Sequence, residues 1–193
     1  MEIIKKTWDV PITSLKNNIN NKNVDMQLLA AITLLSKSGF NDGDRFLYDN
    51  DFDKKEVAKL IGKTTATVRN KLNKLIGAGI VRSFNVKFDE KVFLIQYAKE
   101  GKYYVTIRSD VLEKLVEEGN NHTIKVYIVF KYTLRMRERR ISQSFLINQL
   151  GLSENAHGKK IISNSINKLI ELELIEKISK NYGNRSCCYR LKQ

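Results

Sequence analysis

The sequence predicts an α+β protein, mainly α with small β wings, in which one supersecondary unit is used twice. Three observations carry this. TTATVRNKLNKLIGAGIV (Thr64–Val81) is answered by IISNSINKLIELELIEKI (Ile161–Ile178), with NKLI in both. Each copy follows a short helix pattern, and each runs into alternating, β-rich residues that read as a hairpin. A constant shift of 94 places Val68 on Ile162, Leu72 on Ile166, Leu75 on Leu169 and Ile76 on Ile170, so the apolar register repeats as well as the tetrapeptide.

Residues 1–23, Asn-rich towards the end (KNNINNKN), read as an arm or extended lead-in and linker. Val24 to Ser38 has apolar residues at helical spacing. RFLY then suggests a short strand. Asp53 with Glu56 has the form of a capping box for a helix burying Val57, Leu60 and Ile61, stopped by Gly62. Thr64 or Thr65 starts the next helix, closed by Gly77 and Gly79. Ile80 to Phe88 and Val92 to Tyr97 make a hairpin. Helix, short strand, helix, turn, helix, hairpin is the order of a winged helix-turn-helix domain, here residues 24–98.

The second domain, 99–193, opens with a strand (Tyr103–Ile107) and a helix capped by Ser109. Asn120 to Glu138 reads as a long helix, apolar over much of its surface and therefore a core element. Arg139 to Ile141 reads as a strand, Ser142 as the cap of a helix bearing Phe145, Leu146 and Leu150, and GLSENAHG as a turn. A helix from about Lys159 to Leu172 and a second wing, Leu174–Ser179 with Cys187–Leu191, complete the unit. Leu60 and Leu150 align if the second turn is four residues longer.

The chain has 193 residues, 42% hydrophobic and 28% charged, with formal net charge +13. The surplus is spread, +5 over residues 1–98 and +8 over 99–193. A surplus this large implies an anionic partner. No apolar run approaches the roughly 20 residues of a membrane-spanning helix, and MEIIKKTWDV lacks the form of a signal peptide, so a cytoplasmic location is expected. His122 and His157 lie far from the adjacent Cys187 and Cys188, which gives no zinc spacing. DNDFD (Asp49–Asp53) opens like a calcium loop but has Lys54 where glycine and Leu60 where glutamate are needed. There is no phosphate-binding loop and no constellation for catalysis. The expectation is a protein without cofactor, metal or enzymatic activity.

In a helix-turn-helix the second helix presents its polar face to the major groove. Steps of about 100° per residue put Ala66, Thr67, Asn70, Asn73 and Lys74 opposite the apolar face of the first such helix, with Thr65 at its start and Arg69 and Lys71 flanking. The second exposes Lys160, Ile161, Asn164, Asn167 and Lys168, after Lys159. Asn70 pairs with Asn164, Asn73 with Asn167, and Lys74 with Lys168. Asparagine can grip the N6/N7 edge of adenine, and Ile or Thr methyls pack on thymine, so A·T-rich double-stranded DNA is the expected partner. A plain solvated helix face is the alternative. The second wing tip offers Lys180, Tyr182, Asn184 and Arg185 to a backbone or minor groove. The first tip carries Asp89 and Glu90, which phosphates repel. Arg135, Arg137, Arg139 and Arg140 are either a phosphate clamp or the solvated end of a helix.

The segments YYVTIRSDVLEKLVEEG, IKVYIVFKYTLR, ISQSFLINQLGLSEN and ISNSINKLIELELIEK, across residues 103–191, resemble the helix-turn-helix domains of DnaD-like replisome proteins and of plasmid and phage replication initiators from low-G+C Gram-positive bacteria. Two winged helices in one small basic chain also resemble iteron-binding plasmid initiators, although their residue motifs are missing from the first half. The resemblance implies DNA binding, with replication initiation as the leading role. A transcriptional regulator, a partition-type centromere binder and a replisome adaptor protein are the alternatives. A homodimer, and replication or partition proteins, are further partners this reading admits.

Overall fold

The structure is a computed structural model that describes residues 9–14, 19–38, 44–86, 91–96, 104–135, 137–179 and 186–192. Among these residues there are seven α-helices and three antiparallel sheets, an α+β architecture. No helix among them is long and apolar enough to cross a membrane.

The first unit begins with α1 (Met26–Leu35), whose residues from Met26 to Thr33 are all buried. The Asp25 carboxylate caps it by accepting from the Leu28 amide at 2.9 Å, satisfying one of the donors a helix start leaves free. The short β2 (Lys37–Ser38) and β3 (Asp44–Tyr48) follow. Arg45, 8% exposed, is affordable inside because its Nε donates to Ser36 Oγ (2.7 Å) and its Nη2 to the Ser36 carbonyl, tying β3 to the end of α1. A 3₁₀ turn leads to α2 (Lys54–Leu60), capped by Asp53, then α3 (Thr65–Gly77), capped by Thr64. The hairpin of β4 (Val81–Asn85) and β5 (Lys91–Gln96) completes a sheet in the order β2-β3-β5-β4.

The second unit repeats this plan. After β6 (Tyr104–Arg108) and α4 (Ser109–Glu118) comes α5 (Asn121–Leu134), buried continuously from Thr123 to Phe130. β7 (Arg139–Ser142), α6 (Gln143–Gln149), α7 (Ala156–Glu171), β8 (Ile175–Ser179) and β9 (Ser186–Leu191) correspond to β3, α2, α3, β4 and β5, and the sheet order β7-β9-β8 matches β3-β5-β4. The repeat extends to the backbone. Asp53 caps α2, and Ser142, 89 residues on, caps α6. Gly62 (φ 62°) and Gly151 (φ 63°) end those helices at the same shift. Gly79 (φ 71°) and Glu173 (φ 58°) end α3 and α7 at a shift of 94. Val68 and Ile162 are both 0% exposed, and so are Leu75 and Leu169.

Several expectations are corrected. The equivalent of Leu150 is Ile61 rather than Leu60: Ile61 N donates to Val57 O and Leu150 N to Leu146 O, both at 3.0 Å. The extra length of the second unit is divided between a longer turn and a longer α7, which starts at Ala156 instead of Lys159 because Asn155 Oδ1 accepts from Gly158 N at 2.9 Å. The long helix ends at Leu134, where Arg135 turns left-handed (φ 40°). Ser109 lies inside α4 and Arg108 holds the cap position. The arm foreseen for residues 1–23 contains β1 (Asp9–Ser14), which pairs with β6 across almost a hundred residues, and also the buried Ile19.

The two units share one core. α1 packs on α4 and α5, and α5 on α7. Gln27 on α1 donates to the carbonyls of Val116 (2.9 Å) and Gly119 (3.3 Å), and the Met26 amide donates to Asn121 Oδ1 at 2.7 Å. The buried apolar residues of both halves form a single cluster. Each fully buried Leu, Ile or Phe in it contributes about 1.5–3 kcal/mol.

Candidate nucleic-acid interface

α3 carries its apolar residues Val68, Leu72 and Leu75 inward, and its opposite side lies open. Ala66, Arg69, Asn70, Asn73 and Lys74 are exposed, while Thr65, Thr67 and Lys71 are half-buried. Thr67 belongs to the cap: its amide donates to Thr64 Oγ1 at 3.2 Å, and the two hydroxyls are 2.9 Å apart. α7 repeats the arrangement. Lys159, Lys160, Asn164 and Asn167 are exposed, and Ile161 and Lys168 half-buried. The asparagines matched by the repeat, Asn70 with Asn164 and Asn73 with Asn167, are therefore open on both helices.

Two lysines are placed differently from the expectation. Lys71 is not a free flank. Its ammonium is paired with the Asp25 carboxylate, and the side chains are only 25% and 12% exposed. Lys168 is held by Glu171 at 2.8 Å, with Glu118 at 3.9 Å, so it is less available than its counterpart Lys74. Among the described residues, Arg69, Lys74, Lys159 and Lys160 form no ion pair.

The tip residues Lys180, Tyr182, Asn184 and Arg185, and Asp89 and Glu90 of the first hairpin, lie outside the described residues. Arg135, Arg137, Arg139 and Arg140 are all exposed; the Arg135 guanidinium lies 5.3 Å from the centre of the Tyr132 ring. Between α7, the start of α6 and the β7-β9-β8 sheet runs a groove of about 500 Å³, lined among others by Gln143, Ser144, Lys159, Asn167 and Lys177.

A second concavity, about 230 Å³, lies where the units meet. Lys63 and Lys71 border it from the first unit, Ile161, Asn164 and Ser165 from α7, and Asn120, Asn121 and His122 from the start of α5. Lys71 and Ser165 are the same position of the repeat. Compared with family models and with curated proteins, the sequence matches none. The chemistry of the surface is thus read from its own residues.

That surface bears amides, hydroxyls and ammonium groups. Among the described residues no group of three or more His, Cys, Asp or Glu is placed to hold a metal ion. Burial, and then the charge of Lys125, pushes the His122 imidazole below its ordinary value, with Asp25 opposing. Lys125 is 4% exposed; burial lowers it too, and its ammonium donates to the Asn21 carbonyl at 3.2 Å. Sequence reasoning missed Lys63, Asn120, Asn121 and His122 as parts of a site. They sit at helix ends rather than on a periodic face, so only the packing of the two units brings them together.

Proposed function

We propose that the protein is a sequence-specific double-stranded DNA-binding protein built from two winged helix-turn-helix domains, acting as a plasmid or phage replication initiator. The observation that carries the DNA reading is the pair of exposed asparagines, Asn70 with Asn73 and Asn164 with Asn167, set at equivalent positions of two helices and accompanied by Arg69, Lys74, Lys159 and Lys160, which form no ion pair among the described residues. An exposed Asn on a helix that fits a groove about 12 Å wide can make two hydrogen bonds to adenine, which favours A·T-rich targets. Arg69, Lys74, Lys159 and Lys160 supply phosphate contacts that position the helices without reading sequence. The net charge of +13 supports an anionic partner. The initiator role rests on the resemblance of residues 103–191 to initiator and DnaD-like domains.

The test is selection of bound duplexes from a randomised pool, followed by affinity measurements across a salt series. An A·T-rich consensus is expected, with log K falling against log salt at a slope of about −0.9 per phosphate neutralised. A flat slope on every duplex would overturn DNA binding, and a G·C-rich consensus would overturn the asparagine assignment. Direct repeats of the selected sequence beside the protein's own gene support the initiator role, whereas a single palindrome over its promoter supports a repressor.

A further inference from the structure

The concavity at the junction of the units has a composition that the reading helices alone do not require. Its border among the described residues contains two lysines, four asparagine or glutamine side chains, a serine and a histidine, and no carboxylate. Gln27 already gives its NH2 group to the carbonyls of Val116 and Gly119, but two of the asparagines have their oxygens occupied instead. Asn120 Oδ1 already accepts from the amides of His122 (2.9 Å) and Thr123 (3.0 Å), and Asn121 Oδ1 from the Met26 amide (2.7 Å). Each of these side chains is left with its NH2 group to offer. Asp25, the acid nearest by, has one oxygen on the Leu28 amide and the other on Lys71.

The position of the cleft matters as much as its chemistry. Lys71 borders it from α3 and Asn164 from α7, so the facing flanks of the two candidate reading helices are separated by one small cavity. A backbone phosphate held there would lie beside both helices at once. Phosphate oxygens seek several N–H donors together with positive charge, and donors to a charged oxygen give shorter and stronger hydrogen bonds than neutral pairs.

We infer that the cleft between α3, α7 and the start of α5 holds a phosphate of the DNA backbone, with Lys63, Lys71, Asn120, Asn121 and His122 as its donors. This rests on the DNA-binding reading above and deepens it: the seam between the units grips the backbone next to the helices that read bases. Lys71 then shares its charge between Asp25 and the phosphate. His122, whose imidazole burial and Lys125 shift towards the neutral form, donates a ring N–H, and the arriving anion makes its protonation easier. The other charged groups acting on that ring are Asp25 and His157.

The experiment uses the full chain and its Lys63→Gln and His122→Gln variants. Lys63 is exposed, so its replacement leaves the fold intact. Duplex affinity is measured from low to high salt on a selected and an unrelated sequence, and the His122 ring resonances are followed in a pH titration with duplex and, separately, with inorganic phosphate. Lys63→Gln should weaken both duplexes alike and reduce the salt slope by about 1. His122→Gln should also weaken both, and duplex should raise the His122 titration midpoint. If the parent chain keeps a steep slope while Lys63→Gln matches it and His122 does not respond to duplex, the cleft is off the DNA path and DNA binding stands. If the parent has no slope, both readings fall. If inorganic phosphate moves His122 but duplex does not, the oxyanion is that of a small phosphorylated ligand and the backbone assignment is overturned.

Discussion

Gly79 and Glu173, separated by 94 residues, hold the same left-handed conformation at the same place after α3 and α7. The hydrogen bonds match as well: Gly79 N donates to Ile76 O and Glu173 N to Ile170 O, both at 2.9 Å, and the amides of Ile80 and Leu174 reach back to Leu75 and Leu169 at 3.1 and 3.0 Å. A side chain in this region costs about 1 kcal/mol relative to glycine. Glu173→Gly should stabilise the protein by about 0.5–1 kcal/mol, and Gly79→Ala should destabilise it by a similar amount; nothing crowds a Cβ at Gly79, so the cost is conformational. Denaturant unfolding checks both. The exposed Glu173–Lys192 pair (3.5 Å) lost in the first variant is worth little.

The Asp25–Lys71 pair joins the start of α1 to the side of α3. Asp25→Ala removes a helix cap worth about 1 kcal/mol and also leaves a half-buried ammonium without its partner, for a total of about 2 kcal/mol or more. Asp25→Asn keeps the capping oxygen and should cost less. If the two variants are equally destabilised in urea, the cap contributes nothing and the ion pair everything.

His122 fixes the sign of one pH effect. Its folded value is depressed, so between that value and the ordinary 6.5 the unfolded chain binds more protons than the folded one. Stability is therefore fully present above about pH 6.5 and falls as the pH drops towards the depressed value. His122→Gln should flatten this part of the profile, measured as unfolding free energy from pH 7.5 to 5.

Asn164→Ala and Asn167→Ala should each weaken binding to the selected duplex by about 1–3 kcal/mol while leaving unrelated duplexes almost unaffected. Asn70→Ala and Asn73→Ala test the first unit in the same way. Equal losses on specific and unrelated DNA from all four would assign these side chains to the backbone rather than to bases.

Much of the fold is written locally. The spacing of Val68, Leu72 and Leu75, and of Ile162, Ile166 and Leu169, marks the inner faces of α3 and α7 without help from the rest of the chain. Caps such as Asp53 and Ser142 are chosen by neighbours two or three residues away. What escaped the sequence is non-local or a competition between near-equal ends. β1 is a short segment interrupted by Pro11, which gives no strand signal of its own until β6 supplies its hydrogen bonds. Asn155 outcompetes later residues for the start of α7 because its side chain reaches the Gly158 amide. Lys71 is indistinguishable from a surface lysine until Asp25, 46 residues earlier, is brought beside it.

Helix α1 has hardly any side to give to water, and its circumference is shared between its own unit and α4 and α5. The two halves are consequently bound in one thermodynamic fate. Val68→Ala in the first and Ile162→Ala in the second should lower the same single melting transition, and a duplex seated on either half protects the amides of both from exchange.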